Sequence, residues 1–309
     1  NGVGDIVVDN LYELERLNAI AGEHNMVAPI SFRIKPGIDA HTHEFIRTGQ
    51  VDSKFGLDLA SGEAMEALRR AKTMEHVAVK GLHCHIGSQI LEKAPFVHAA
   101  EVMLQFYAKV RDELGMAFEH LNLGGGFGIH YTAQDDAIPY EEYMEDVSAM
   151  VHSTCEKLDL ELPRIYIEPG RSIVGEAGIT LYTVGSIKEI PGVRTYVAID
   201  GGMFDNPRYA LYQSAYTCCI ANKASQPADF TATIAGKCCE SGDLIQEHTL
   251  IQKPEEGDIL AVLSTGAYNY SMASNYNRNL KPACVMVSKG ESRIVIKGET
   301  YEDLIRNDV

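Results

Sequence analysis

An α/β part followed by an all-β part is the fold class that the sequence predicts. Three observations carry that expectation. Up to about residue 176, short apolar runs alternate with amphipathic helical stretches. From residue 177 the helical period vanishes, and β-rich segments punctuated by Gly and Pro take over. The 309 residues suffice for two domains of this kind.

The elements follow in order. Ile6-Val7-Val8 forms a first strand, and Leu11, Leu14, Leu17, Ile20 and Ala21 recur behind it at helical spacing. Residues 30–34 form the second strand, and a long loop through Gly37 and Gly56 leads to a helix starting near Ser61. Ser61 is its expected N-cap, with Ala64, Met65 and Leu68 on one face. A third strand at 81–86 precedes a helix at 96–114, a fourth at 120–123 precedes a helix at 140–158, and a fifth covers 165–168. Repeated strand–helix steps imply a parallel sheet. It is either open and doubly wound or part of a (β/α)8 barrel, for which three strands are unaccounted for. Beyond it, strands are expected at 180–187, 195–199, 230–234, 259–262, 283–287 and 293–296. Pro191-Gly192, Gly201-Gly202 and Lys289-Gly290 separate some of them. The two domains are therefore drawn as 1–176 and 177–309.

Composition narrows the function classes. A net charge of -16 argues against a nucleic-acid binder, which needs a basic face. No run of 18 apolar residues is present, so no membrane-spanning helix is expected. The seven cysteines are odd in number and scattered, which suits reduced thiols in a cytoplasmic enzyme better than a disulfide framework. Asn1-Gly2-Val3-Gly4 leads straight into the first strand, without an initiator Met or a signal peptide, so the chain is expected to begin inside a βα unit.

Six stretches hold the candidate chemistry. Gly124-Gly125-Gly126-Phe127-Gly128 follows a strand and is either a phosphate cradle or a tight turn; its spacing is not that of a dinucleotide fingerprint. His83 and His85 share a strand face by alternation, and His41 and His43 form a second such pair. Each pair is either ordinary packing or half of a metal site, which leaves a metal-dependent hydrolase open as a rival reading. Glu168-Pro169-Gly170-Arg171 ends the fifth strand, where barrel enzymes place catalytic groups. The acid could pair with a cationic ring nitrogen and the arginine could clamp an anion, or the two could form a surface ion pair. Cys238-Cys239-Glu240-Ser241-Gly242-Asp243 sets thiols beside acids. Acidic neighbours favour a protonated thiol, a better donor than nucleophile, although a plain polar turn is also open. Gly266-Ala267-Tyr268-Asn269-Tyr270 is a tyrosine cluster that packing alone could explain.

In their order and spacing these motifs resemble the alanine-racemase-like, fold-type III pyridoxal-phosphate decarboxylases of amino acids. The resemblance covers the whole chain and includes Pro36-Gly37-Ile38-Asp39-Ala40-His41-Thr42-His43 and Ser53-Lys54-Phe55-Gly56-Leu57. It implies five βα units of a (β/α)8 TIM barrel followed by a β-sandwich or β-barrel domain, with pyridoxal 5'-phosphate as cofactor and no metal. It is nearest to the branch that decarboxylates meso-diaminopimelate to L-lysine, ahead of ornithine or carrier-bound substrates or a non-catalytic homologue.

Residue by residue, the resemblance places His85 against the cofactor ring with Ser88 close by, and Gly124, Gly125 and Gly126 at the phosphate. It places Glu168 at the ring nitrogen and Arg171 toward substrate and phosphate. Arg208 and Tyr212 would bind the carboxylate that is kept; Tyr209 stands between them where the branch usually has Pro. Cys239 would be the proton donor and Glu240 the holder of the distal amino group, both given to a partner subunit's site in a homodimer. Tyr268 would contact phosphate and substrate. The family's Schiff-base lysine, in a Y-x-x-K-A-like motif, matches nothing here, so the chain as given is expected to be inactive on its own. With the three missing strands, this leads to the expectation that roughly 100 residues precede Asn1, at ~30 or more per βα unit.

Overall fold

The computed structural model describes residues 2–38 and 54–309 and divides into two compact units. The first comprises Asn1–Ile129 and Asp136–Ser172, and the second His130–Asp135 and Ile173–Val309. No described helix is long and apolar enough to cross a membrane.

The first unit alternates strands and helices. Strand β1 (Ile6–Val8) is followed by α1 (Leu11–Glu23), and β2 (Ala28–Lys35) and the short β3 (Leu57–Asp58) by α2 (Glu63–Ala71). Next come β4 (Val77–Cys84) and α3 (Ala94–Leu114), β5 (His120–Asn122) and α4 (Tyr140–Leu158), and β6 (Arg164–Tyr166) before α5 (Arg171–Val174). Every pairing in the order β1-β2-β4-β5-β6 is parallel, with β3 branching from β2. The helical spacing seen in the sequence is used as expected. In α2 the buried set is Ala64, Met65, Ala67, Leu68 and Ala71. Its N-cap, however, is Gly62 with φ 83°, not Ser61, because Asp58 Oδ2 accepts the Ser61 N–H and pulls that residue into the preceding turn.

Apolar burial between the sheet and its helices drives this unit together. Phe32, Ile30, Ile34 and Leu82 of the sheet are fully buried, as are Leu14, Leu68, Met103 and Tyr143 of the helices. Phe96 stacks on Phe127 at 4.7 Å between centroids, and Tyr143 meets both rings edge-on. The Tyr143 hydroxyl donates to the Ile90 carbonyl at 2.9 Å, so burial of this phenol leaves no polar group unpaired.

The second unit is mostly antiparallel. Its strands β7 (Thr180–Ile190), β8 (Arg194–Ile199), β9 (Cys218–Ile220), β10 (Phe230–Ala235), β11 (Leu244–Ile251) and β12 (Ile259–Val262) form one sheet in the order β11-β10-β8-β7-β12-β9. Only β8–β10 is parallel. The two end strands approach each other through side chains: Gln246 Oε1 accepts the Tyr216 N–H at 2.9 Å and Gln252 Oε1 the Ile220 N–H at 2.8 Å. Short helices α6 (Arg208–Tyr212) and α7 (Asn269–Met272) interrupt the strands. A separate hairpin of β13 (Cys284–Ser288) and β14 (Glu291–Ile296) precedes α8 (Tyr301–Ile305). Residues 130–135 group with this unit because the Thr217 N–H and hydroxyl both donate to the Tyr131 carbonyl at 2.9 Å.

Candidate active site

The C-terminal ends of β4, β5 and β6 bring the first group of predicted residues together. Asn122 closes β5, and the chain turns at once through Gly124 and Gly126, at φ 69° and 115°. A Cβ on Gly124 would lie 2.6 Å from the Cys84 carbonyl, and one on Gly125 or Gly126 would collide with the carbonyl of Glu168 or Gly87. Close packing of three strand ends therefore accounts for glycine at all three positions. The loop is pinned further along, where the Ile90 N–H donates to Gly126 O at 2.8 Å and the Gly128 N–H to Ile90 O at 2.9 Å.

Glu168 follows β6 and reaches back to β5 and β4. Its Oε1 accepts from Asn122 Nδ2 at 2.8 Å, and its Oε2 lies 3.5 Å from His83 Nε2. Its backbone N–H donates to Gly124 O at 2.8 Å. The Glu168 side chain is 52% exposed, whereas that of His83 is 5% exposed. Burial lowers the His83 imidazole's proton affinity, against the pull of Glu168, and its Nδ1 has no hydrogen-bond partner among the described residues. His85 lies just past the end of β4, not within the strand. Its proton affinity is pushed down to about 4, first by burial and then by Arg33, so the ring is neutral near pH 7. A hydrogen bond with the Gly125 backbone ties it to the glycine loop. Arg171 opens α5 and is 6% exposed; its Nη2 donates to Ser88 Oγ at 2.7 Å.

The remaining predicted residues lie in the second unit. Arg208, at the start of α6, is 6% exposed and has no carboxylate partner among the described residues. Its Nε donates to Tyr216 Oη at 2.9 Å and its Nη2 to Ser214 Oγ at 3.2 Å. Its Cζ lies 5.5, 5.3 and 5.6 Å from the ring centroids of Tyr212, Tyr268 and Tyr131. A buried cation held by neutral dipoles and ring faces is one that still lacks an anion. Tyr268 contributes from a left-handed backbone, φ 70°, which a non-glycine residue adopts only when its surroundings demand it. Tyr209 has its own role in place of Pro: its hydroxyl donates to Glu247 Oε2 at 2.5 Å.

Cys239 and Glu240 sit in a tight loop between β10 and β11, tied to other neighbours. Cys239 is exposed, and its N–H donates to Asn277 Oδ1 at 2.6 Å. Glu240 Oε2 accepts from Tyr276 Oη at 3.2 Å. The loop is organised by buried Asp243, whose side chain accepts from the N–H groups of Cys238 and Met203 at 2.6 and 2.5 Å. The adjacent Cys238 thiol is pushed up to about 11, first by burial and then by Asp243.

Three residues were not singled out in the sequence. Asn122 and Arg33 belong to the Glu168 group, and Tyr216 to the Arg208 group. An asparagine ending a strand one residue before a glycine run was the available signal for Asn122. His41 and His43 lie outside the described residues. Among the described residues no three His, Cys, Asp or Glu side chains are grouped to hold a metal ion.

Comparison with known proteins now decides the family. Over 307 residues the chain is 50% identical to diaminopimelate decarboxylase of Bacillus subtilis, covering 99% of this chain and 70% of that protein. The chain belongs to the diaminopimelate decarboxylase family. Residues 1–175 match the model for the pyridoxal-dependent decarboxylase pyridoxal binding domain. The Staphylococcus aureus diaminopimelate decarboxylase is 47% identical over 309 residues, with 100% of this chain and 72% of that one covered. Among solved structures, the M. jannaschii enzyme in complex with L-lysine aligns with a TM-score of 0.91 at 37% identity, covering 99% of this chain and 69% of that one. The Helicobacter pylori enzyme, also with L-lysine, gives 0.86 at 32% identity over 97% and 72%.

The residues present fit the cofactor that this family uses. A carboxylate at the end of a parallel sheet, a neutral imidazole near it and a loop with no side chains in the way are a donor set suited to a protonated pyridine ring bearing a phosphate. The polar atoms at that end are fixed to one another without being used up, as His83 Nδ1 illustrates.

Proposed function

We propose that the intact enzyme carrying this sequence decarboxylates meso-diaminopimelate to L-lysine with pyridoxal 5'-phosphate. The observation that carries the proposal is the Glu168 carboxylate, held by Asn122 beside His83 and backed by the glycine loop. Bound pyridoxal phosphate supplies an electron sink for the charge left when carbon dioxide departs. Glu168 would keep a proton on the ring nitrogen, and His85, uncharged, would pack on the ring without competing for that proton. Gly124, Gly125 and Gly126 hold the phosphate by backbone N–H groups, with Ser88 and Arg171 beside them. Arg208 and Tyr212 receive the retained carboxylate, because the buried guanidinium has no carboxylate partner among the described residues. Tyr268 touches substrate and phosphate, Glu240 holds the distal ammonium, and Cys239 returns a proton to the carbon that lost its carboxylate.

The finer architecture belongs to the same reading. The parallel strands β1, β2, β4, β5 and β6 are taken as five of a (β/α)8 barrel in a domain ending near residue 176, with 177–309 as a β-sandwich or β-barrel domain. A homodimer with shared sites is proposed on the placement of Cys239 and Glu240 in an exposed loop, and a cytoplasmic setting on the seven free thiols.

The test is carbon dioxide release by the cofactor-loaded enzyme from meso-diaminopimelate and from L-ornithine. A kcat/KM at least about a hundredfold higher for diaminopimelate is expected, since ornithine has no second carboxylate and leaves Arg208 without its partner. Equal rates, or none with diaminopimelate, would overturn the assignment. Mixing Cys239→Ala and Arg171→Ala enzymes, each inactive, should restore about a quarter of the activity if subunits share sites. No recovery after verified subunit exchange would mean that Cys239 serves its own chain.

A further inference from the structure

Asn122 stands where three structural requirements meet. It is 8% exposed, ends β5, and uses both ends of its amide: Nδ2 donates to Glu168 Oε1 at 2.8 Å, and Oδ1 accepts the Gly124 N–H at 2.9 Å. The partners dictate this orientation, since a flipped amide would set oxygen against carboxylate and N–H against N–H. The Glu168 N–H also donates to Gly124 O, so Asn122, Gly124 and Glu168 close a ring of hydrogen bonds. A glutamate side chain about half exposed would otherwise sample several rotamers, and fixing it costs entropy that some contact must offset.

We infer that Asn122 is a positioning residue that sets the Glu168 carboxylate and the glycine loop at one fixed spacing, so that ring nitrogen and phosphate are met together. The inference rests on the assignment of Glu168 to the ring nitrogen. Asn122 itself is not a proton donor or acceptor in the reaction. Its amide turns one Glu168 oxygen inward and leaves the other, with His83 3.5 Å away, to face the ring.

The experiment compares Asn122→Ala, Asn122→Asp and Glu168→Ala in the holoenzyme at about pH 8, where an aspartate without a nearby cation is ionised. Three quantities are read: thermal midpoint without cofactor, cofactor dissociation constant by equilibrium dialysis, and kcat with KM. Asn122→Ala removes both bonds and should weaken cofactor binding and lower kcat about tenfold each, with KM for substrate little changed. Asn122→Asp keeps the acceptor for Gly124 but puts a second carboxylate against Glu168. It should therefore melt no lower than Asn122→Ala yet turn over more slowly. A purely structural asparagine gives the opposite order, with the isosteric Asp variant nearer to wild type in every quantity, and that result overturns the inference. If Asn122→Ala does not fold, Asn122→Asp against wild type decides: a kcat loss beyond about tenfold at a similar melting temperature supports it, and an unchanged kcat ends it. Glu168→Ala separates the two claims. If it leaves cofactor affinity and kcat intact, the assignment of Glu168 is wrong; if it cripples both while Asn122→Asp behaves as wild type, only the role of Asn122 is wrong.

Discussion

His120 and Asn122 lie two residues apart on β5 and so share a strand face, yet they serve opposite ends of the sheet. At the N-terminal end, Ser31 Oγ donates to Asp5 Oδ2 at 2.7 Å, His120 Nε2 lies 2.9 Å from Ser31 Oγ, and the same Nε2 is 3.1 Å from Asp5 Oδ2. Serine, histidine and aspartate are the residues of a hydrolytic triad. The geometry is wrong for one, since the serine hydroxyl gives its proton to the acid and Ser31 is wholly buried. At the C-terminal end, Glu168 is half exposed and His83 keeps an unpartnered ring nitrogen. The first cluster spends its hydrogen bonds mostly on itself, and the second holds its groups ready for something else. Residue type alone does not separate a plug from a site; exposure and unfilled bonding capacity do.

The sharpest way to break the N-terminal end is steric. Gly81 of β4 pairs directly with His120 of β5, and a Cβ on it would collide with the His120 carbonyl and lie 2.5 Å from the ring. Gly81→Ala should therefore destabilise the first unit by about 3 kcal/mol, because neither a strand backbone nor a buried ring can give way cheaply. Denaturant unfolding measures it. If the comparison holds, the fraction that stays folded retains the cofactor affinity of the wild type, since nothing at the Glu168 end has been touched. A drop in affinity with little loss of stability would show that the two ends are not independent.

Much of this contrast could be reached from the sequence, and its limits have physical causes. The parallel sheet was recoverable because short apolar runs mark its strands and its helices carry a regular apolar stripe, as α4 does from Tyr140 to Leu158. Strands β9 and β11 were not. Three residues are too few to show a period, and Gln246, Glu247 and His248 interrupt the apolar pattern of β11, two of them because they bind neighbouring groups. His83 and His85 looked equivalent by alternation, but β4 ends at Cys84, so the second ring follows the loop rather than the strand. Glu168 and the glycine run were visible as motifs. Asn122 was not, because an asparagine's role depends on which two groups flank its amide, and that is known only once β5 and β6 are side by side.

A titration sharpens the C-terminal side of the comparison. His85 has its folded-state value pushed down to about 4, against about 6.5 for an unfolded histidine. Between those values the unfolded chain binds a proton that the folded one does not. The stability contribution is thus complete above about pH 6.5 and is lost as the pH falls toward about 4. At pH 5 the loss is on the order of 2 kcal/mol for the cofactor-free protein. His85→Gln should remove this slope between pH 6.5 and 4 and leave the stability near pH 7 within about 1 kcal/mol of wild type. Unfolding curves at several pH values test this directly. An unchanged acid slope in the variant would place its origin elsewhere, for instance in His83, whose proton affinity burial also lowers.

The smallest effect is the most telling about the N-terminal cluster. Ser31→Ala deletes one donor from a set of three groups. Asp5 Oδ2 and His120 Nε2 remain 3.1 Å apart and can still bond to each other, so no newly stranded charge is created. The cost is that of one buried hydrogen bond with partial compensation, about 1 kcal/mol, and the space vacated is only that of one oxygen. Turnover of the cofactor-loaded enzyme should not change at all. Were Ser31 a nucleophile served by His120, the same substitution would abolish a hydrolytic activity by several orders of magnitude while sparing stability. The two accounts therefore predict opposite pairs of results, a small loss of stability with no loss of rate against the reverse, and one purified variant with a melt and a rate assay decides between them.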